Sequence, residues 1–214
     1  MNIINVNNLE NISSYFNQTK RCIIFGKGPT FEIREKTDDE YFFCVNDTVN
    51  YIEKCDFLAC NDIETFNYIN LERLKSVKNI LIPYHIHIKY KPHKLITYKD
   101  VIKKIEPYFS GNLIVYNLKS INLNYPEFIN IDTLNTTSNT IVEFIIRYLK
   151  NIKEIHTYGI GITNKLSYNN IFTNQYKKSN IKSIPMHNNN NFVISVGNEL
   201  RQRCIDNNIK LKMH

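Results

Sequence analysis

The 214-residue sequence predicts an α/β fold, a Rossmann-like and mainly parallel sheet with helices on both faces and a small lid segment. Three observations predict it. Short apolar runs rich in β-branched and aromatic residues recur along the chain, each stopped by a Gly, Pro or Asn/Asp loop. Segments with apolar residues at helical spacing lie between them. Strands and helices therefore alternate, which favours parallel pairing and places ligands in the crevice beyond the carboxyl ends of the strands.

The first apolar run, 21–25, reads as a buried strand closed by Gly26-Lys27-Gly28-Pro29, with a helix expected to begin near Thr30. Runs over 41–45 and 57–60 read as two more strands, stopped by Asn46-Asp47 and Asn61-Asp62. A helix is expected over 63–77 and a strand over 79–82, ended by Pro83. Val101, Ile102, Ile105 and Phe109 share a helical face within 99–109, and a strand follows over 113–116. Thr136, Thr137 and Ser138 supply N-caps for a helix through Tyr148 whose Ile141, Phe144, Ile145 and Tyr148 align. A strand over 154–158 ends at Gly159-Ile160-Gly161. The polar, aperiodic stretch 162–187 reads as a lid loop, followed by a helix over 192–205 and an edge strand over 210–213.

Composition narrows the class of protein. With 43% hydrophobic and 22% charged residues the chain is neither collagen-like, coiled-coil nor wholly disordered, and its length fits a single domain over 1–214. The formal charge of +7 favours anionic ligands. Basic residues are scattered, and the densest group (Lys89, Lys91, Lys94) reads as a solvated face, so no nucleic-acid partner is expected. Peripheral membrane contact and self-association stay open. Cys22, Cys44, Cys55, Cys60 and Cys204 are odd in number and lack CxxC spacing, and Cys22, Cys44 and Cys60 lie in apolar runs. Reduced core thiols are expected. No signal-peptide pattern and no bilayer-length apolar run is present, so a cytoplasmic location is expected.

Two features point to a ligand. The loop formed by Gly26, Lys27, Gly28, Pro29 and Thr30, read as leading into a helix, suits an anion, although it is neither a Walker loop nor a complete GxGxxG; a structural turn is the competing reading. Asn46 and Asn61 close successive strands, where an amide both donates to and accepts from a base, ribose or phosphate. His85, His87 and His93 lack partners at metal-ligand spacing and read as surface or rim.

Phe25-Gly26-Lys27-Gly28-Pro29-Thr30, Cys44-Val45-Asn46, Cys60-Asn61, Thr137-Ser138, Tyr158-Gly159-Ile160 and Met186-His187 stand in an order and spacing that resembles the bacterial sialyltransferases of the Campylobacter lipooligosaccharide type. The resemblance runs from about Arg21 to the C-terminus through short motifs. It implies a metal-independent glycosyltransferase, without cofactor, that moves sialic acid from a CMP-sialic acid donor to a glycan hydroxyl. It implies His187 as general base, Asn46 and Asn61 on the cytidine nucleotide, and Thr137 and Ser138 on sugar or phosphate. Gly159 belongs to the matched motifs, and Tyr168 falls near one of the family's phosphate-binding tyrosines. The chain departs from the family at Lys27, where the family has Asn, at Gly161, where it has an acidic residue, and at Thr163, where the second tyrosine would fall. The absence of any Asp-x-Asp from the sequence agrees with a metal-free expectation.

Two rival readings stay open at the level of sequence. An ATP-dependent pyrophosphokinase of the hydroxymethylpterin type would use Lys27 and metal-bound phosphates. A nucleotide-binding protein without turnover would keep the sheet and the asparagines alone.

Overall fold

The computed structural model describes residues 1–5, 21–84, 98–118, 126–131, 136–149, 151–160, 169–172 and 190–214. Nine strands form one sheet: β1 (Asn2–Ile4), β2 (Arg21–Phe25), β3 (Glu40–Val45), β4 (Cys55–Ala59), β5 (Val77–Pro83), β6 (Asn112–Leu118), β7 (Ile129–Ile131), β8 (Glu154–Tyr158) and β9 (Lys210–Met213). Their order is β1-β6-β5-β4-β3-β2-β8-β9, with β7 also paired to β6, and every pairing among them is parallel. The α/β, Rossmann-like class read from the sequence is the class observed.

Strand periodicity builds two cores. Cys22, Ile24, Phe43, Phe57, Leu81 and Ile114 face one side, where helices α2 (Thr137–Tyr148) and α3 (Asn190–Asp206) cover them. Ile23, Phe25, Phe42, Leu58, Ile80 and Leu113 face the other, against Val101 and Ile105 of α1 (Tyr98–Ile105) and a group of aromatic rings. Central strands buried on both faces explain why they read as unbroken apolar runs rather than alternating ones. All five cysteines are free and buried.

Several elements differ from expectation. No helix begins at Thr30; the segment is held instead by a turn in which Gly28 O accepts from Phe31 N and by the Asn169 amide, which donates to Pro29 O and Phe31 O. The expected helix over 63–77 is instead two 3-10 segments, Ile63–Asn67 and Leu71–Ser76, followed by β5. Asn50 enforces that break by donating to Tyr68 O and accepting from Asn70 N, while the Asn70 side chain caps the second segment at Glu72 N. Helix α1 stops at Ile105, short of the expected 109. β1 and β7 have no counterpart in the sequence reading; each is three residues long, too short to show a period. Of the expected lid, only 169–172 is described. There Phe172 is fully buried against Phe31 and Tyr51, so this part of the lid is docked. Among the described residues no helix is long and apolar enough to cross a membrane.

Candidate functional site

The order of the strands fixes where a crevice can form. From β2 the chain winds outward through β3, β4, β5 and β6, whereas β8 and β9 lie on the other side of β2. The topological switch is therefore between β2 and β8, and the loops leaving their carboxyl ends carry Gly26 to Thr30 and Gly159. Asn46 and Asn61 stand one residue past β3 and two past β4, the next strands of the same sheet. The sequence-predicted residues Gly28, Asn46 and Asn61 thus share one edge of adjacent parallel strands.

At the switch itself the two loops are zipped together. Gly26 N donates to Tyr158 O at 2.8 Å, Gly28 N donates to Gly159 O at 2.8 Å, and Gly159 N donates to Thr30 Oγ1 at 3.0 Å. Gly159 has φ +68, and a Cβ on Gly28 would lie 2.7 Å from Gly159 O. The glycines are needed for this close approach of two backbones. That corrects the expectation of an anion cradle at a helix N-terminus here, since no helix follows and the Gly28 N–H is already committed. Asn169 adds a clip, its backbone N donating to Lys27 O at 2.8 Å. Pro29 and Thr30 remain exposed.

Beside the glycine loop, Lys27 Nζ lies 3.1 Å from Asp47 Oδ1 in a largely buried ion pair. Thr48 Oγ1 donates to Phe25 O and ties the 3-10 segment Asn46–Asn50 to the end of β2. Asn46 opens that segment with φ 55, left-handed backbone that Asn tolerates better than other non-glycine residues. Its side chain is buried, and Oδ1 has no hydrogen-bond partner among the described residues.

Asn61 is held from two sides. Tyr116 OH, at the carboxyl end of β6, donates to Asn61 Oδ1, and Asn61 Nδ2 donates to Thr140 Oγ1 at 3.3 Å. Thr140 Oγ1 in turn donates to Thr136 O at 3.1 Å, one turn back in α2. Burial pushes the Tyr116 phenol well above its ordinary value, so it stays a protonated donor. This chain brings the first turn of α2, with Thr137 and Ser138, to the carboxyl edge of the sheet beside Asn61. Thr136 caps the helix by accepting from Asn139 N at 3.3 Å, as its sequence position predicts. The positive end of the α2 dipole is therefore on the crevice side.

The sequence reading missed Tyr116 and Thr140. Tyr116 looked like one more apolar strand residue and Thr140 like a helix interior position, and nothing local in the sequence marks either one. Among the described residues no group of three or more His, Cys, Asp or Glu side chains could hold a metal ion. His187 and Tyr168, together with Gly161, Thr163, Lys89, Lys91, Lys94 and the histidines His85, His87 and His93, lie outside the described residues. No protein-family model, no curated protein and no solved structure matches this chain.

Proposed function

We propose that this chain is a glycosyltransferase of the sialyltransferase type, binding a CMP-activated sugar at the carboxyl edge of β2, β3 and β4. Asn46 is the observation that supports the reading best. A buried amide oxygen without a partner costs about 1–3 kcal/mol, and here it stands at the sheet edge where α/β folds take ligands. An oxygen acceptor is satisfied by a ligand O–H or N–H, and a cytidine nucleotide offers both in its ribose hydroxyls and exocyclic amine. The α2 N-terminus on the same side suits the phosphate.

In this reading an acceptor hydroxyl attacks the anomeric carbon of the donor. The bond from that carbon to the CMP phosphate oxygen breaks, and CMP leaves with the electron pair. His187 takes the hydroxyl proton, a role suited to an imidazole titrating near neutrality. The acceptor is a glycan, and the family resemblance is the ground for sialic acid as the sugar.

A panel of CMP, CDP, UDP and ATP in thermal denaturation, each with and without magnesium, tests the reading. Stabilisation by CMP that is independent of magnesium is expected. Stabilisation only by ATP with magnesium would replace the proposal with pyrophosphate transfer, and CMP binding without hydrolysis of CMP-sialic acid would reduce it to nucleotide binding alone.

A further inference from the structure

We propose that Tyr116 is a positioning residue that locks the Asn61 amide with an N–H toward the crevice, so that the site prefers cytosine to uracil; the base preference rests on the nucleotide reading above. The orientation follows from hydrogen counting. Thr140 Oγ1 spends its single hydrogen on Thr136 O, so toward Asn61 it only accepts, and the group facing it at 3.3 Å is the NH2. The amide oxygen then faces Tyr116, whose fully buried O–H is a donor. A flipped amide could still donate from NH2 to the phenol oxygen, but it would set C=O against a threonine oxygen with no hydrogen to give, so the bond to Thr140 would be lost.

One N–H of Asn61 remains after these bonds, and it has no partner among the described residues. An N–H fixed in direction pairs with an acceptor. Cytosine presents a bare N3, whereas uracil carries a hydrogen there, so the lock discriminates between bases that are otherwise nearly the same shape. Tyr116 and Thr140 reach the amide from β6 and α2, so the lock is set by tertiary structure and not by the loop that carries Asn61.

The test titrates CMP and UMP into wild type, Tyr116→Phe, Thr140→Val and Thr140→Ser, each first shown folded by thermal denaturation. Wild type is expected to favour CMP by about tenfold or more, the ratio that one well-formed hydrogen bond supplies. Tyr116→Phe and Thr140→Val should lower that preference to about threefold or less, and Thr140→Ser should keep it. Equal loss of affinity for both nucleotides, with the preference intact, would reduce Tyr116 to a structural role and overturn the proposal. NMR of the ligand-free protein supplies a readout independent of nucleotide. The Asn61 Nδ2 proton bonded to Thr140 should exchange slowly in wild type and lose that protection in Tyr116→Phe; unchanged protection would overturn the lock. Wild type binding neither nucleotide, with the amide protected and then released by Tyr116→Phe, would overturn the base preference and the nucleotide reading while supporting the lock.

Discussion

Replacing Gly159 by Ala should cost stability and ligand affinity together, because this residue joins β8 to the glycine loop after β2. Its φ of +68 is left-handed, a conformation that costs an L-residue about 1–2 kcal/mol. The new Cβ would also lie 2.3 Å from Gly26 O, where real Cβ contacts almost never fall below 3.0 Å. Relief requires the two loops to part by about 0.7 Å, which strains the 2.8 Å bond from Gly28 N to Gly159 O and the 3.0 Å bond from Gly159 N to Thr30. Losing one of these adds about 0.5–1.5 kcal/mol. The total is about 1.5–3.5 kcal/mol, or roughly 3–14 °C in Tm for a chain of this size. Urea and thermal denaturation measure it. Gly111→Ala serves as the comparison. There the Cβ would lie 2.2 Å from Lys78 O at the opposite, amino-terminal edge of the sheet, so stability should fall while CMP affinity does not. A Gly159→Ala protein within about 1 °C of wild type would refute the zipped-loop account, and CMP affinity lost equally in both variants would refute its link to the site.

Four further outcomes are expected. Glu143→Ala should destabilise the packing of α2 on α3 by about 2–3 kcal/mol in urea titration, since it removes the buried carboxylate that Arg147 and Arg203 share; the exposure of both arginines, and the Glu199 carboxylate that Arg203 keeps, hold the figure below that of a fully buried pair. Stability should fall as pH drops below about 6.5, the ordinary histidine value. Burial lowers the His156 pKa, so the unfolded chain binds the proton first; the loss continues down to the folded-state pKa and should be flattened by His156→Gln in denaturation between pH 5 and 8. A second decline should follow below the ordinary carboxylate range as Glu154, held to about 2 chiefly by its bond with Lys212, is protonated. Finally, His187→Ala should lower kcat by ~10²–10⁴ with donor affinity near that of wild type. Equal turnover across pH 5 to 8 would remove His187 from the mechanism.

The strands that form the centre of the sheet were legible because burial on both faces makes them contiguous apolar runs, as in Cys22 to Phe25 and Phe42 to Val45. The α2 boundary was legible from the Thr136 cap. What failed was set by distant partners. Nothing within 26–39 says that Asn169 will take the carbonyls of Pro29 and Phe31, and nothing within 63–77 says that Asn50 will divide that stretch in two. Local propensity cannot register a hydrogen bond made from outside the segment, whether from 18 residues away as at Asn50 or from 140 as at Asn169. The site divides in the same way. Asn46 and Asn61 were visible as polar stops at strand ends, whereas Tyr116 and Thr140 act on Asn61 only after β4, β6 and α2 are assembled. The glycine loop was visible, but the helix expected after it does not form, and its glycines admit a neighbouring backbone.

The most direct test of the central claim is to map the backbone amide shifts of isotope-labelled protein as CMP is added. The crevice account predicts saturable changes concentrated at Lys27, Asn46, Asn61, the first turn of α2 and Gly159, with the amino-terminal edge around Glu40, Asp56 and Asn112 unmoved. Changes centred on that opposite edge, or none at millimolar CMP, would contradict it.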